Sequence, residues 1–393
     1  MKRVLSIATL YPNTHAPRFG TFVARSLEAL AARGDWHVTL INPIGIPPVA
    51  FGKYRPLATA AVNGLEHGVA VFRPTFPLIP RLGARINSKM IFLSILPLVR
   101  RLHAEQLFDL VDAQFFYPDG PAAAQIADEL GLPLSIKARG SDITFWGQKP
   151  FARRQMATAA HGASGLLAVS EALARDMAEL GMDRSKITIN YTGLDRDLFS
   201  PRDHAGIRRR LGTVLSLPLA ADQPLLATVG ALTARKGQGL VIASLPQLPR
   251  AQLLLVGKGE DKEKLQAQAR HLGVADRVHF VGSVDHDLLP IILSAADVMV
   301  LPSSNEGLAN AWVEALACGT PLVICDAGGA RELVAGPDAG IIVERTAEGV
   351  TEGIRQILAS PPTSEAAASM VEQFSWAANA ASLAEYYESI TAA

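Results

Sequence analysis

Short apolar segments alternate with amphipathic segments along the whole chain. The apolar segments have the length of strands, whereas segments such as Phe22–Arg33 and Ala122–Leu130 carry apolar residues at helical spacing. Strands that are apolar on both sides are typical of parallel sheets covered by helices on both faces. The predicted strands, in chain order, are Val4–Leu10, His37–Asn42, Val69–Arg73, Leu110–Gln114, Leu134–Ala138, Leu166–Ser170, Ile187–Tyr191, Leu225–Gly230, Gln252–Gly257, Val278–Val281, Val298–Pro302, Leu322–Cys325 and Ile341–Val343.

These strands fall into two successions, which predict two Rossmann-like α/β domains. The length of 393 residues favours two domains over a single core. Prolines and glycines cluster at 200–224, so we place the boundary there, with domains at 1–205 and 206–375. The tail, Phe374–Ile390, is predicted to form one or two helices. Ligands of open parallel sheets bind beyond the carboxyl ends of the strands, so we expect a site in a cleft between facing domains.

The composition excludes several classes of protein. Apolar residues make up 49% of the chain and charged residues 19%, which excludes a disordered or fibrous chain. The formal net charge is zero, so nothing in it favours nucleic acid as a partner. The two cysteines, Cys318 and Cys325, match neither a disulfide framework nor a zinc motif. No segment resembles a signal peptide or is long enough to span a membrane, so we expect a cytoplasmic protein.

Charge is nevertheless unevenly distributed. The first 200 residues carry a net charge of +6 and the remainder a net charge of −6. The segment His67–Ala104 has no acid, and on a helix its residues Arg81, Arg85 and Lys89 would share one face beside apolar side chains. Such a helix is typical of an anionic membrane surface; the alternative is a solvated basic face over a helix that packs on the core. The cations of the segment are Arg73, Arg81, Arg85, Lys89, Arg100 and Arg101.

The segment Asn305–Pro321 is the most informative of the chain. It follows the predicted strand Val298–Pro302 and predicts a short loop and then a helix, whose first backbone N–H groups, at Leu308–Asn310, would attract phosphate. Glu306 and Glu314 are eight residues apart, which returns to roughly the same side of a helix. Because a diphosphate would repel carboxylates, we expect both acids to bind neutral hydroxyl groups, such as a vicinal diol.

This segment resembles the E-x7-E motif of the retaining glycosyltransferases of family 4, which have the GT-B fold. Further motifs that resemble the family stand in the expected order and extend the resemblance over nearly the whole chain. The opening Tyr11-Pro-Asn and Gly20-Thr-Phe-Val resemble members from polysaccharide and teichuronic-acid pathways. The other motifs are Arg139-Gly-Ser-Asp142, Thr192-Gly-Leu-Asp195, Gly230-Ala-Leu-Thr-Ala-Arg-Lys-Gly237, Leu255-Val-Gly-Lys-Gly-Glu260, Val278-His-Phe-Val-Gly282, Ala296–Ser303 and Gly328-Gly329-x-x-Glu332.

The resemblance implies roles for individual residues. Glu314 would bind the ribose hydroxyls of a nucleotide sugar, and Glu306 would lie beside the donor sugar. Lys236, helped by Arg235, would neutralise the diphosphate, so that fixed cations stabilise the leaving group without a metal. The implied catalytic residues are Glu306, Arg139 and Lys236, and the implied substrate-binding residues are Gly20, Asp142, Gly230, Arg235, Lys236, Gly257, Glu306, Gly307, Leu308, Ala309, Asn310 and Glu314.

The implied reaction is retaining transfer of a sugar from a UDP- or GDP-sugar to a glycan or lipid-linked acceptor of a bacterial cell-surface polysaccharide. The C-terminal domain would bind the donor, the N-terminal domain would present the acceptor, and the tail at 376–393 would pack back on the N-terminal domain. A lipid-linked acceptor favours a membrane contact through Arg73–Arg101, on the inner face of the cytoplasmic membrane. No cofactor or metal is expected, because the lysine and arginine would neutralise the diphosphate. Two segments, at Asp195 and Asp285, match the DxD pattern of metal-dependent glycosyltransferases, but about one match is expected by chance and both are interpreted as incidental.

Three departures from the family keep alternatives open. Ala231 stands where the family often has Arg, Arg139 where it has His, and Thr192 where it has Asn. An epimerase with the GT-B fold would release an altered nucleotide sugar, and a phosphorylase would need a pyridoxal-phosphate lysine that the sequence does not suggest. A glycosyltransferase that has lost catalysis and acts as a binding protein is a third alternative. The presence of both Glu306 and Glu314 argues against it.

Overall fold

A computed structural model describes residues 1–47, 54–79, 83–220 and 222–392. The chain divides into two compact units: the first contains residues 1–193 and 376–393, and the second contains 194–375. The boundary expected after residue 205 falls inside the second unit. The segment from Leu194 already belongs there, because Leu194 pairs with Ser375 in a parallel bridge and the ring of Phe199 contacts His286.

The first unit contains an eight-stranded sheet in the order β10-β9-β8-β7-β1-β2-β5-β4, in which only β4 runs antiparallel to its neighbour, and a two-stranded sheet of β3 and β6. Its strands are β1 Lys2–Ile7, β2 Trp36–Ile41, β3 Ile44–Ile46, β4 Gly64–Glu66, β5 Val69–Phe72, β6 Thr75–Pro77, β7 Leu110–Ala113, β8 Leu134–Ala138, β9 Gly165–Ala168 and β10 Ile187–Ile189. Its helices before residue 193 are α1 Thr21–Ala32, α2 Asn87–Glu105, α3 Asp119–Leu130, α4 Ser141–Thr144, α5 Pro150–Gly162 and α6 Glu171–Glu179.

The second unit contains a six-stranded, wholly parallel sheet in the order β13-β12-β11-β14-β15-β16. Its strands are β11 Leu225–Val229, β12 Gln252–Val256, β13 Val278–Gly282, β14 Val298–Leu301, β15 Leu322–Cys325 and β16 Gly340–Val343. Its helices are α7 His204–Leu215, α8 Gln238–Ser244, α9 Lys262–His271, α10 Leu289–Ala295, α11 Asn310–Ala317, α12 Ala330–Leu333, α13 Ala347–Ala359 and α14 Ser364–Ser369.

Helices cover both faces of each large sheet, which confirms the α/β prediction. Successive strand residues pack into different cores: Val4 packs with α1, whereas Leu5 packs with α2 and α3. In the second unit Leu225 and Leu226 divide between two cores in the same way. Every predicted strand is present: β8 and β15 have the predicted ends, and the ends of the others differ by at most three residues. The sequence did not predict three strands, β3, β4 and β6. Each is three residues long, which is too short to show a recognisable pattern of apolar and polar residues.

The basic segment differs from the expected single helix. The helix α2 begins at Asn87, while Arg85 lies in the 3₁₀ turn Gly83–Arg85 with its guanidinium over the ring of Phe151, so Arg85 and Lys89 do not share a helix. Arg81 lies outside the described residues. Carboxylates neutralise three of the other cations, in the pairs Arg73–Glu66 at 2.6 Å, Arg100–Glu129 at 2.5 Å and Arg101–Glu105 at 3.9 Å. Over the described ranges, no helix is both long and apolar enough to cross a membrane.

The tail forms one helix, α15 Trp376–Thr391, which belongs to the first unit and packs against α1. Its buried Asn379 accepts a hydrogen bond from Ser26 Oγ at 2.7 Å and donates to Asn190 Oδ1 at 2.9 Å and to the carbonyl of Tyr191 at 2.6 Å. Tyr387 packs edge-on against Trp36. A single amide thus joins the tail to α1 and to the segment that follows β10.

Replacing Asn379 with Leu removes these three side-chain hydrogen bonds from a buried site, where Asn190 Oδ1 keeps only the bond from Lys137 Nζ. We expect the variant to lose about 2–3 kcal/mol of unfolding free energy, measured by urea denaturation. The control is Glu385→Gln at an exposed position of the same helix, which should stay within about 0.5 kcal/mol of the parent. Equal stability of the two variants would show that Asn379 does not hold the tail.

Candidate functional site

The carboxyl ends of β11, β12 and β14 lie side by side in the second unit, because β11 pairs in parallel with both of its neighbours. Each end is followed by a segment that carries residues singled out from the sequence: 230–237 after β11, 257–260 after β12 and 302–309 after β14. Gly230, Gly257 and Glu306 therefore lie along one edge of the sheet. This is the edge at which open parallel sheets bind ligands.

Two cations and a carboxylate join the first and last of these segments. Lys236 Nζ donates to Glu306 Oε1 at 2.5 Å, and an Arg235 guanidinium nitrogen lies 3.4 Å from the same oxygen. Arg235 also donates to the carbonyl of Asn305 at 2.5 Å, and its own carbonyl accepts from the Ser304 amide at 2.8 Å. The side chains of Lys236 and Glu306 are 13% and 9% exposed, whereas Arg235 is 49% exposed. The cluster has a surplus of one positive charge.

The segments after β11 and β12 approach each other too closely for side chains. Gly257 has φ +141°, and a Cβ at this position would overlap the carbonyl oxygen of Gly230. The Gly230 amide donates to the Val256 carbonyl at 2.9 Å, which continues the ladder of the two strands. The aliphatic end of the Lys236 side chain lies against Gly230, where its Cε would be 3.5 Å from a Cβ added to that glycine. Gly257 thus permits the close approach of the two segments, and Lys236 packs against Gly230 at the same edge of the sheet.

The start of α11 supplies backbone donors beside this cluster. The helix begins at Asn310, directly after the segment that carries Glu306 and Gly307, and no side chain caps it. Among the described residues, no carbonyl or side chain accepts a hydrogen bond from the amides of Leu308, Ala309 or Asn310. Amides at the positive end of a helix dipole, next to a lysine and an arginine, form an electropositive environment that favours anions.

Glu314 lies in the second turn of α11, and most of its surroundings are protein. Glu306 lies in the loop before this helix, so the eight-residue spacing does not place the two acids on one helix. Within the part of the chain that the structure describes, no group donates a hydrogen bond to its carboxylate. Burial raises the pKa of Glu314 from its ordinary value of 4.5 to about 7. A carboxyl group with no partner in a half-buried position can bind hydroxyl groups, which supply the missing donors.

The first unit carries Arg139 and Asp142 directly after β8. The buried carboxylate of Asp142 accepts from the backbone amides of Phe116, Arg139 and Gly140 at 2.8–3.1 Å, so it fixes the shape of this turn. Burial raises the pKa of Asp142 and the hydrogen bonds from these amides lower it; burial is the larger effect, so the pKa is raised overall. The guanidinium of Arg139 donates to the carbonyl and side-chain oxygens of Gln114. Burial lowers the pKa of Arg139 to about 10, so it remains a cation at neutral pH.

Gly20 precedes α1 in the same unit. It has φ +72°, and a Cβ there would lie 2.6 Å from the carbonyl oxygen of Leu10, so only glycine permits this approach of the first loop to the helix start. The sequence did not single out Gln114 or Asp112, although both lie near Arg139. The sequence feature that could have identified them is the pattern Asp112-Ala113-Gln114, in which two polar residues alternate at the end of an otherwise apolar strand.

The aspartates of the two DxD matches do not gather into a metal site. Among residues 1–47, 54–79, 83–220 and 222–392, no three His, Cys, Asp or Glu side chains are grouped so that they could hold a metal ion. The Asp195 carboxylate instead accepts from the Leu198 amide at 3.1 Å.

Two protein-family models match the chain, one in each half. The model described as Glycosyltransferase Family 4 matches residues 20–198, and the model described as Glycosyl transferases group 1 matches residues 216–374. TuaC of Bacillus subtilis (strain 168), a glycosyltransferase named for teichuronic acid biosynthesis, is 29% identical over 404 aligned residues, which cover 99% of each chain.

Solved structures share the fold. Sucrose-phosphate synthase from Thermosynechococcus elongatus superposes with a TM-score of 0.81 at 22% identity over all of both chains. HepE of Anabaena, solved in complex with UDP and glucose, superposes with a TM-score of 0.74 at 21% identity over 99% of this chain and 100% of HepE. At these identities the likeness shows the fold alone.

The raised pKa of Glu314 predicts a pH-dependent effect of Glu314→Gln on stability. Below about pH 4.5 the carboxyl is neutral whether the chain is folded or unfolded, and burying it costs little. As the pH rises through 7, the wild type loses stability relative to the Gln variant, because the buried carboxyl resists ionisation. We expect the variant to gain about 1–2 kcal/mol relative to wild type between pH 5 and pH 8, measured by urea denaturation at each pH.

The control for this measurement is Glu263→Gln, the same chemical change at an exposed position of α9. If the difference between wild type and Glu314→Gln does not change with pH, the carboxyl of Glu314 is not held in an environment that opposes its charge.

Proposed function

We propose that this chain, which belongs to the group 1 glycosyltransferases of family 4 and has their GT-B fold, moves a sugar from a nucleotide-diphosphate donor to a glycan or lipid-linked acceptor. The observation that carries this proposal is Glu314, which has no hydrogen-bond donor among the described residues and lies in α11, the helix that begins just after the segment of the Lys236–Glu306 pair. A nucleotide sugar contains a ribose diol and a diphosphate, and the edge of the second sheet has groups suited to both. The complex of HepE with UDP and glucose, on the same fold, supports a donor of this class.

Donor binding follows from the charges at this edge. The ribose hydroxyls would donate to the Glu314 carboxylate, while the diphosphate would accept from the amides of Leu308–Asn310 and from Lys236. Because Lys236 is already bonded to Glu306, that carboxylate holds the ammonium in place before the donor arrives. Arg235, half exposed and 3.4 Å from the same Glu306 oxygen, would contact the same phosphates in place of the arginine that the family often has at the position of Ala231.

In the proposed reaction, the bond between the anomeric carbon of the donor sugar and the oxygen of the β-phosphate breaks. The acceptor hydroxyl oxygen forms the new bond on the same face of the sugar, and its proton passes to the departing phosphate oxygen. Negative charge grows on the leaving diphosphate, where Lys236, Arg235 and the amides that begin α11 stabilise it without a metal ion. Retention of the anomeric configuration is inferred from the family, and Arg139 of the first unit is proposed as a further cation of the reaction.

The acceptor would be a component of a bacterial cell-surface polysaccharide. The relation to TuaC, named for teichuronic acid biosynthesis, supports this class, because the two chains match over nearly their full lengths. We further propose that the first unit presents the acceptor and contacts an anionic membrane. Exposed residues recur every three or four positions from the start of α2 along its outer side, where Ile86 and Leu93 are 43% and 50% exposed and the exposed Lys89 lies between them.

The donor site is tested by the thermal stability of the purified protein with UDP-, GDP- and ADP-sugars. A ligand that binds only the folded state raises the melting temperature. At a ligand concentration of 100 times Kd, the free energy of unfolding increases by about 2.7 kcal/mol. We expect one nucleotide class to stabilise wild type, and expect Glu314→Ala and Lys236→Met to abolish most of that stabilisation. The same variants should lose at least about tenfold in kcat/KM for transfer.

Glu263→Ala on the exposed side of α9 is the matched control and should respond to the nucleotide as wild type does. Stabilisation that survives in Glu314→Ala would contradict the assignment of the ribose site. An altered nucleotide sugar released without acceptor would favour an epimerase, and binding without turnover would favour a binding protein.

The membrane contact is tested by co-sedimentation with vesicles that contain phosphatidylglycerol. Replacing Lys89 and Leu93 with Gln and Ser removes charge and apolar surface from the exposed side of α2. We expect the bound fraction to fall about fivefold or more, since each cation near an anionic surface contributes about 1 kcal/mol. The control is Lys262→Gln in α9 of the second unit, which should bind as wild type does. Unchanged binding of the α2 variant would exclude this surface.

A further inference from the structure

Gln114 and Arg139 meet because of the topology of the first sheet. Strands β7 and β8 are parallel neighbours in which Ala113 pairs with Ile136. Gln114 is the first residue beyond β7 and Arg139 the first beyond β8, so both emerge at the same edge of the sheet. The residues that begin the two loops are thus brought together.

Gln114 holds the guanidinium of Arg139 at two points. Arg139 Nε donates to the Gln114 carbonyl at 2.8 Å, and one terminal nitrogen, NH2, donates to the Gln114 side-chain oxygen. The ring of Phe22 covers the guanidinium, with its centroid 5.0 Å from the Arg139 Cζ. Two hydrogen bonds and an aromatic face leave the planar group little freedom to turn.

Asp112 fixes which way the amide of Gln114 faces. The Gln114 side-chain nitrogen donates to the buried Asp112 carboxylate, which leaves the side-chain oxygen for Arg139. Asp112 also accepts from Ser6 Oγ at 3.2 Å, on the neighbouring strand β1. Asp112 and Gln114 are two residues apart and share a face of their strand. The result is a chain of hydrogen bonds from a buried carboxylate, through a neutral amide, to a cation at the edge of the sheet.

The other terminal nitrogen of Arg139, NH1, has no such partner. In the described part of the molecule, no oxygen accepts a hydrogen bond from it, and no carboxylate lies within ion-pair distance of the guanidinium; Asp112 and Asp142 act on its charge only from farther away. Asp142, which follows in the same turn, directs its oxygens to backbone amides instead. The guanidinium therefore keeps its positive charge and two N–H groups available. Phosphate and carboxylate are the groups that such a planar donor binds best.

We propose that Gln114 is a positioning residue for Arg139, which it orients so that the NH1 edge of the guanidinium binds an anionic group of a substrate. The inference rests on the proposed function in identifying the substrates. The anionic group is a phosphate or carboxylate, carried by the donor as its diphosphate or by the acceptor. A neutral amide suits this task, because a carboxylate in its place would neutralise the cation that it orients.

The test compares Gln114→Met, which keeps the length of the side chain, with Arg139→Lys, which keeps the charge but loses the second terminal nitrogen. Gln125→Met is the matched control, because Gln125 lies on α3 and donates to the Pro121 carbonyl. Each variant is assayed for hydrolysis of the nucleotide sugar without acceptor and for transfer to the acceptor. If the anionic group belongs to the donor, both test variants lose about tenfold in both rates; if it belongs to the acceptor, only the acceptor KM rises, by about tenfold.

Binding of inorganic pyrophosphate gives a reading that requires no turnover. The titration is made in the Lys236→Met variant, which lacks the ammonium group paired with Glu306. Calorimetry then measures the affinity for pyrophosphate that the other cations provide. We expect the dissociation constant for pyrophosphate to rise about tenfold when Gln114→Met or Arg139→Lys is added, and to stay unchanged when Gln125→Met is added. This arm supports or contradicts the role of Gln114 even if no sugar transfer is found.

The proposal is overturned if Gln114→Met behaves as the Gln125→Met control does in both measurements. It is also overturned if Gln114→Met loses activity or binding while Arg139→Lys retains them, because the effect of Gln114 would then not pass through Arg139. Melting temperatures identify any variant that has lost its fold, and Arg139→Lys, which preserves charge and most of the side chain, provides a second reading in that case.

Discussion

Parallel pairing of strands is the constraint on which the rest of this structure depends. In a parallel sheet every strand ends at the same edge, so the residues that follow each strand meet whatever their separation in sequence. Lys236 and Glu306 are 70 residues apart and form an ion pair because β11 and β14 are neighbours. Gln114 and Arg139 meet in the first unit because β7 and β8 are neighbours. The chemistry of each unit is thus a consequence of strand order.

The charged residues at the carboxyl edges of the two large sheets have different partners. In the second unit Glu306 partly neutralises the cations. Glu314 does not contact them, and burial raises its pKa to about 7. Ligand hydroxyls would supply the hydrogen bonds that Glu314 lacks. In the first unit Arg139 has no carboxylate partner among the described residues and is oriented by a neutral amide. One edge therefore combines cations with a buried acid that has no hydrogen-bond donor among the described residues, and the other presents a cation that has no carboxylate within ion-pair distance.

Much of the fold could be predicted from the sequence, because strands apolar on both sides and helices with one apolar face have different periods. The motifs around Lys236 and Glu306 also singled out segments that the structure brings together at one edge of the second unit's sheet, since each follows an apolar strand and contains glycines and charged residues. The boundary after residue 193 was not visible, because it depends on Leu194 pairing with the distant Ser375.

The pairing of Gln114 with Arg139 could not be predicted for a related reason. It depends on which strands are neighbours, and the sequence contains no signal for the order of strands within a sheet. The basic segment shows a different limit: its spacing suggested one helix face, but carboxylates distant in sequence, such as Glu129 opposite Arg100, neutralise part of it. Spacing along the chain identifies candidate residues, whereas their partners come from the tertiary fold.

The most direct test of the central claim is a crystal structure of the protein with the nucleoside diphosphate that stabilises it. We expect both ribose hydroxyls to lie within about 3 Å of the Glu314 carboxylate oxygens. We also expect phosphate oxygens beside Lys236 and the amides that begin α11. A nucleotide bound elsewhere, or at this edge with its ribose turned away from Glu314, would contradict the assignment of the donor site.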